Sequence, residues 1–209
     1  MTLTLQSLKA PLLAAFIVLG FAVQCNVVHA ATSERAYFAG GCFWCTESDF
    51  EKVDGVIEAI SGYTGGDMAN PTYEQVSAGG TGHLEAVKVI YDPARISYEA
   101  LLDVFWRHVD PTDDGGQFVD RGYQYRSAIF YASDDERRLA EASRDRLAAS
   151  GRFDKPIVTE VTPLDVFYPA EDYHQEYFQR NPYQGYCRVV IAPKVAKFRR
   201  KYLAKLKQS

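Results

Sequence analysis

The stretch Gly40-Gly41-Cys42-Phe43-Trp44-Cys45 constrains this chain more than any other. Ahead of it, Ala36-Tyr37-Phe38-Ala39 predicts a short apolar strand. Behind it, Phe50 and Val53 continue a helical spacing from Trp44 and Cys45, and Gly55 marks the stop. Two glycines therefore turn strand into helix, with Cys42 at the helix start. Free backbone N–H groups and the positive end of the helix dipole favour a thiolate there, which makes Cys42 a candidate nucleophile. Cys42 and Cys45 also form a C-x-x-C pair. The bland alternative is a buried apolar turn in which the cysteines only pack.

Residues 1–30 contain no acid and one lysine, Lys9, with an apolar run from Pro11 to Val23 and a Val28-His29-Ala30 ending. That pattern predicts a secretory signal peptide cut after Ala30, leaving 31–209 as one catalytic domain in an exported, periplasmic protein. A retained anchor is the other reading, although the apolar run is short for a membrane span. The whole chain carries a net charge of −4, and removing 1–30 leaves it more acidic, which argues against nucleic acid as a partner. Cys42, Cys45 and Cys187 would then remain. An odd cysteine count in an exported protein suggests thiols that cycle rather than a disulfide framework.

Along the chain, residues 55–61 predict a second strand running into a turn-rich 62–66. A polar loop over 67–83 holds a helical turn from Pro71 through Val76. Strands are expected at 84–91, 127–131, 157–167 (broken at Pro163) and 187–191. Ser97 and Ser133 cap two helices, 170–180 predicts a third, and Pro193 opens a last one with Val195, Phe198, Tyr202 and Leu206 inward. Strands and helices mix without regular alternation, so the reading is a single α+β, two-layer sandwich rather than a doubly wound sheet.

Three loops collect polar residues out of proportion to their length. They supply Tyr73, Glu85 at a strand start, and Asp120 with Tyr125. A cysteine, a carboxyl and two phenols suit binding and protonation of a polar oxygen. Individually each has a bland reading, since the chain holds 14 tyrosines and a strand-start glutamate often faces solvent.

Gly-Cys-Phe-Trp at 41–44, Gly-Tyr-Thr-Gly-Gly at 62–66, Asn-Pro-Thr-Tyr-Glu at 70–74 and Thr-Gly-His-Leu-Glu-Ala-Val at 81–87 resemble peptide methionine sulfoxide reductases of the A type. So do Asp120 with Gln124-Tyr125-Arg126-Ser127, and Ala170-Glu171-Asp172-Tyr173-His174-Gln175. The resemblance implies reduction of the S epimer of methionine sulfoxide, free or in oxidised proteins, on a split β-α-β (ferredoxin-like) core. It implies no bound cofactor or metal, and electrons from a thioredoxin-like protein or another dithiol; a monomer is expected. By motif match Cys42 attacks the sulfoxide sulfur, and protonated Glu85 gives its proton to the oxygen. Tyr73 and Tyr125 hydrogen-bond that oxygen, Asp120 holds a water or the substrate's main-chain nitrogen, and Phe43 and Trp44 cage the methyl group. The sulfenic acid left on Cys42 then condenses with a second thiol.

The chain departs from the family pattern at Cys45, where many members have glycine, at His108-Val109-Asp110, and at Phe118 after Gln117. Cys45 is expected to be the resolving thiol, with Cys187 as alternative or second relay. His83 and His174 lie inside motifs but read as structural. The competing functions are a general thiol–disulfide oxidoreductase, a zinc module on Cys42, Cys45, His83 and Cys187, and a cysteine hydrolase with His83 as base.

Overall fold

The computed structural model describes residues 33–202, 206 and 207, so the expected signal peptide at 1–30 lies outside the described residues. The elements in chain order are β1 (Glu34–Gly40), α1 (Phe43–Phe50), β2 (Val56–Thr64), α2 (Tyr73–Ala78), β3 (Leu84–Tyr91), α3 (Tyr98–His108), β4 (Gly116–Gln117), β5 (Asp120–Arg121), β6 (Ser127–Tyr131), α4 (Asp134–Ala149), β7 (Glu160–Pro163), β8 (Tyr168–Pro169), α5 (Tyr177–Arg180) and α6 (Ala192–Tyr202).

One six-stranded sheet, ordered β7-β6-β1-β3-β2-β8, carries the chain. β3 lies between β1 and β2 and is antiparallel to both, and β6 pairs antiparallel with the other edge of β1. That is a split β-α-β core in a single α+β domain, as expected. Among the described residues only β6 and β7 pair in parallel.

Period-2 alternation decides which face each strand residue meets. Phe38, Val87, Val89 and Ile129 join the main core with Phe43, Phe50, Leu101, Leu102 and Phe105 from the helices. Ala39, Leu84, Ala86, Ala128 and Phe130 face the other way, under Leu164 and Phe167. Glu85 shares the parity of Val87 and Val89, so it points toward the helical layer, under the start of α1.

Local signals hold where they were strong. Ser97 and Ser133 accept hydrogen bonds from Ala100 N–H and Glu136 N–H at the starts of α3 and α4, and Thr72 with Gln75 forms a capping box on α2. Four expectations fail. Gly62, Tyr63 and Thr64 extend β2 instead of forming a turn, because each pairs across to β3. The expected 157–167 strand keeps only β7 in the ladder. The expected 170–180 helix is a 3₁₀ turn at Asp172–His174 plus the short α5, because Glu176 adopts φ 52° between them. Residues 187–191 form a wide helical turn running into α6, not a strand. Cys187, Ile191, Val195, Phe198 and Tyr202 fall on one buried stripe along that continuous helical run. Packing of that stripe overrides the strand preference of Val189, Val190 and Ile191.

Candidate active site

Cys42 is the N-cap residue of α1, at the point where β1 ends. The turn depends on glycines. Gly41 has φ 84°, and a Cβ there would lie 2.6 Å from the Cβ of Gln117; one on Gly40 would lie 2.7 Å from the His108 ring. Close approach of β4 and α3 to the cysteine turn therefore requires both.

Beneath the turn, a buried clamp fixes the start of α1. His108 Nδ1 is 2.7 Å from Asp49 Oδ2, and its Nε2 lies 3.0 Å from Thr46 Oγ1 and 3.1 Å from the Gly40 carbonyl. Thr46 in turn donates to the Cys42 carbonyl at 3.3 Å. Burial, with nearby Lys194, pushes the His108 imidazole below its ordinary value, and burial pushes the Asp49 carboxyl up. Sequence reading missed this clamp, because Thr46, Glu47, Ser48 and Asp49 look like a solvated helix face and all four are buried.

Above the turn lies a cavity of about 160 Å³ lined by Cys42, Phe43, Trp44, Tyr73, Glu85, Asp120, Tyr125 and Tyr186. The structure thus brings seven of the nine sequence-nominated site residues to one small space, and the two remaining cysteines lie just behind it. Cys45 and Cys187 share an apolar cluster with Cys42, Ile191 and Val195, and all three thiols are free. Tyr186 is the residue the sequence did not nominate. Its hydroxyl donates to Asp120 Oδ1 at 2.6 Å, and its ring meets Trp44 edge-on at 6.0 Å. Its one sequence signal is its place beside Cys187.

Glu85 Oε2 accepts the Phe43 N–H at 2.9 Å. The carboxyl, rather than the Cys42 sulfur, therefore takes the free donor at the start of α1. That overturns the expectation of a helix-stabilised thiolate. Burial raises the Cys42 thiol well above its ordinary value, Cys45 and Asp120 raise it further, and the Cys45 backbone only partly opposes them. These effects favour the thiol over the thiolate in the substrate-free site. Glu85 is also raised well above the ordinary carboxyl value, by burial first and by the neighbouring Cys42 second, with the Phe43 N–H opposing. The shift favours the neutral acid, the form that can donate a proton. Burial and the surrounding acids push Tyr73 up to about 12, and burial pushes Tyr125 upward as well, so both phenols keep their protons.

The aromatic wall is braced from outside. Trp44 stacks on Tyr177 at 3.8 Å, and its indole N–H donates to His174 Nδ1 at 3.1 Å. His174 also lies 4.4 Å from the Tyr73 ring, while Glu171 accepts from Tyr73 N–H and from the Tyr63 hydroxyl, each at 2.9 Å. Asp120 Oδ2 is buried without a partner among the described residues, leaving one acceptor for a water or a substrate N–H. His83 cannot serve as catalytic base or zinc ligand. Its Nδ1 accepts from Gly66 N–H at 3.1 Å, and its Nε2 bonds the Met68 carbonyl at 2.7 Å. Both ring nitrogens are thereby spent on the backbone, and the zinc set loses its fourth ligand.

The model of the peptide methionine sulfoxide reductase family matches residues 34–207. A peptide methionine sulfoxide reductase from Streptococcus agalactiae is 55% identical over 149 residues, covering 71% of this chain and 88% of that protein. One from Listeria innocua is 52% identical over 155 residues, covering 73% and 88%. Among solved structures, methionine sulfoxide reductase A of Corynebacterium diphtheriae superposes with a TM-score of 0.65 at 36% identity, over 73% of this chain and 76% of that one. The reduced form of Mxr1 from Saccharomyces cerevisiae gives a TM-score of 0.68 at 30% identity, over 76% and 91%. This chain belongs to the peptide methionine sulfoxide reductase family.

Proposed function

We propose that the protein reduces the S epimer of methionine sulfoxide, free or within oxidised proteins, through a sulfenic acid on Cys42. The observation that carries this reading is that the buried Glu85 carboxyl, which burial favours in its neutral form, lines the same cavity of about 160 Å³ as the Cys42 thiol. The Cys42 sulfur attacks the sulfoxide sulfur while the Glu85 proton passes to the oxygen. Oxygen transfer to Cys42 releases methionine and leaves Cys–SOH, and the thiol's own proton restores Glu85, so atoms and charge balance. Tyr73 and Tyr125 donate hydrogen bonds to the oxygen as negative charge gathers on it. Phe43 and Trp44 accept the methyl group, and Asp120, steadied by Tyr186, holds a water or the substrate's main-chain N–H.

Cys45 then condenses with the sulfenic acid, releasing water and forming a disulfide. It belongs to the same helical turn as Cys42, its N–H bonding the Cys42 carbonyl at 3.1 Å. Disulfide geometry requires that turn to loosen. Cys187, buried in the same cluster, is placed for a second exchange. An external dithiol, of the thioredoxin-like kind, returns both sulfurs to thiols. The rival oxidoreductase reading is disfavoured because Cys42 is only 4% exposed, at the bottom of a cavity too small for another protein's disulfide loop.

We also propose export through cleavage of residues 1–30, supported by their apolar run and small-residue ending; finding the protein in the cytosol with these residues intact would sink it. The catalytic reading is tested by dithiothreitol-driven conversion of methionine sulfoxide to methionine. Cys42→Ser is expected to abolish it, and retained turnover in that variant would remove Cys42 from the role.

A further inference from the structure

The β4–β5 hairpin carries a feature that catalysis does not use. Phe118, at its tip, is a non-glycine residue in the left-handed region, with φ 57°. It is also 65% exposed, and Val119 beside it is 51% exposed. A bulky residue there strains the backbone while burying little of its ring, and glycine would make the same turn without strain.

The tip is nevertheless firmly mounted. On one side, Gln117 is buried against Gly41, and its amide bonds Asp110 N–H at 2.7 Å and the Asp110 carbonyl at 2.9 Å. On the other side, Asp120 enters the catalytic cavity and is held by Tyr186. Phe118 thus lies in the chain between Gln117, which packs against the cysteine turn, and Asp120, which lines the catalytic cavity. It also borders a cavity of about 450 Å³ whose walls include Val109, Phe198, Arg107 and Lys197. Of the nine large hydrophobic residues exposed among those described, five lie within three positions of Asp120, Tyr125 or Tyr186: Phe118, Val119, Tyr123, Tyr183 and Val189.

The catalytic cavity holds one side chain, so whatever flanks an oxidised methionine in a polypeptide must lie along this rim. In an extended chain the side chains two positions before and after the sulfoxide face the same way as it does, about 6.6 Å along the strand, close enough to reach the hairpin tip. We infer that Phe118 and Val119 form a docking lip for apolar residues flanking the sulfoxide in an extended polypeptide. Phe118 and Val119 themselves offer an exposed aromatic ring and an exposed aliphatic side chain, which an apolar occupant covers. This inference rests on the sulfoxide reductase reading.

The test compares kcat/KM on free methionine sulfoxide and on two otherwise identical peptides, one with leucines two positions before and after the sulfoxide and one with serines there. Wild type, Phe118→Gly and Phe118→Asn are assayed with dithiothreitol; both replacements tolerate the left-handed backbone. Both are expected to lower kcat/KM for the leucine-flanked peptide about three- to tenfold, mainly through KM, given the partial burial of one aromatic ring. Turnover of free methionine sulfoxide and of the serine-flanked peptide stays at the wild-type level, and Phe118→Gly keeps or raises the Tm. An equal loss on all three substrates would show the change acting through Asp120 and overturn the lip, as would no loss on any of them. Absence of sulfoxide turnover in wild type itself would instead remove the reductase reading, and this inference with it.

Discussion

Replacing Glu85 with glutamine separates the carboxyl's proton from its geometry. The Phe43 N–H, 2.9 Å from Glu85 Oε2, needs an acceptor, so the glutamine carbonyl takes that side and its amide NH₂ faces the cavity. A hydrogen-bond donor to the sulfoxide oxygen survives, and an acidic proton does not. KM should therefore change little, while kcat falls by the share of one general acid, about 10²- to 10⁴-fold. The pH profile supplies a second readout. The acid acts protonated, so wild-type kcat/KM is full below the raised Glu85 pKa and falls as pH climbs through it. Glu85→Gln removes that limb. The substitution should move stability the opposite way to activity. Folded Glu85 holds its proton above the ordinary 4.5 at which the unfolded chain loses it, so wild-type stability falls as pH rises through that window. The slope is at most about 1.4 kcal/mol per pH unit. The variant lacks this loss, so the Tm difference between variant and wild type should shift in the variant's favour as pH rises above 4.5. Steady-state kinetics on the S epimer and scanning calorimetry over that pH range decide the matter. A wild-type kcat, or an unchanged alkaline limb, would refute the role assigned to the proton.

Two further perturbations follow from the same contacts. Cys45→Ser leaves Cys42 able to attack but removes the thiol beside it; one turnover without reductant should consume one thiol instead of two and leave a sulfenic acid that dimedone traps. Loss of two thiols in that variant would give first resolution to Cys187. Glu47 accepts the Glu176 N–H at 3.1 Å, and burial raises its carboxyl to about 8. Its folded value lies above the unfolded one, so wild type loses stability as pH rises from about 4.5 to about 8. Glutamine keeps the acceptor, and the Tm gap between Glu47→Gln and wild type should widen from pH 5 to pH 8; a constant gap would show that Glu47 is ionised throughout.

The sequence made the catalytic turn legible because its signals are local. Two glycines, a strand and a helical apolar spacing place Cys42 without any knowledge of the rest of the chain. Tyr73, Glu85, Asp120 and Tyr125 were nominated from motifs, and the sheet order explains why segments so far apart meet under α1. Three kinds of feature were not legible. Asp49, Thr46 and His108 satisfy each other only because Gly40 lets α3 approach β1, and helical spacing alone casts those polar residues as a solvated face. Residues 187–191 show strand preference, and only the buried stripe continuing through Val195 and Phe198 makes them helical. The thiolate expectation for Cys42 followed from the helix dipole, but Glu85 occupies the first N–H and burial dominates. The last error matters for mechanism, since burial favours the protonated form of both the resting nucleophile and Glu85.

The most direct test of the central claim is a single turnover of fully reduced enzyme, without external reductant, against each epimer of methionine sulfoxide. The S epimer should give a burst of methionine with loss of Cys42 as a free thiol, mapped by alkylation and mass spectrometry. The R epimer should give none. Equal bursts from both epimers, or a burst that leaves Cys42 alkylatable, would contradict attack by this sulfur within this cavity.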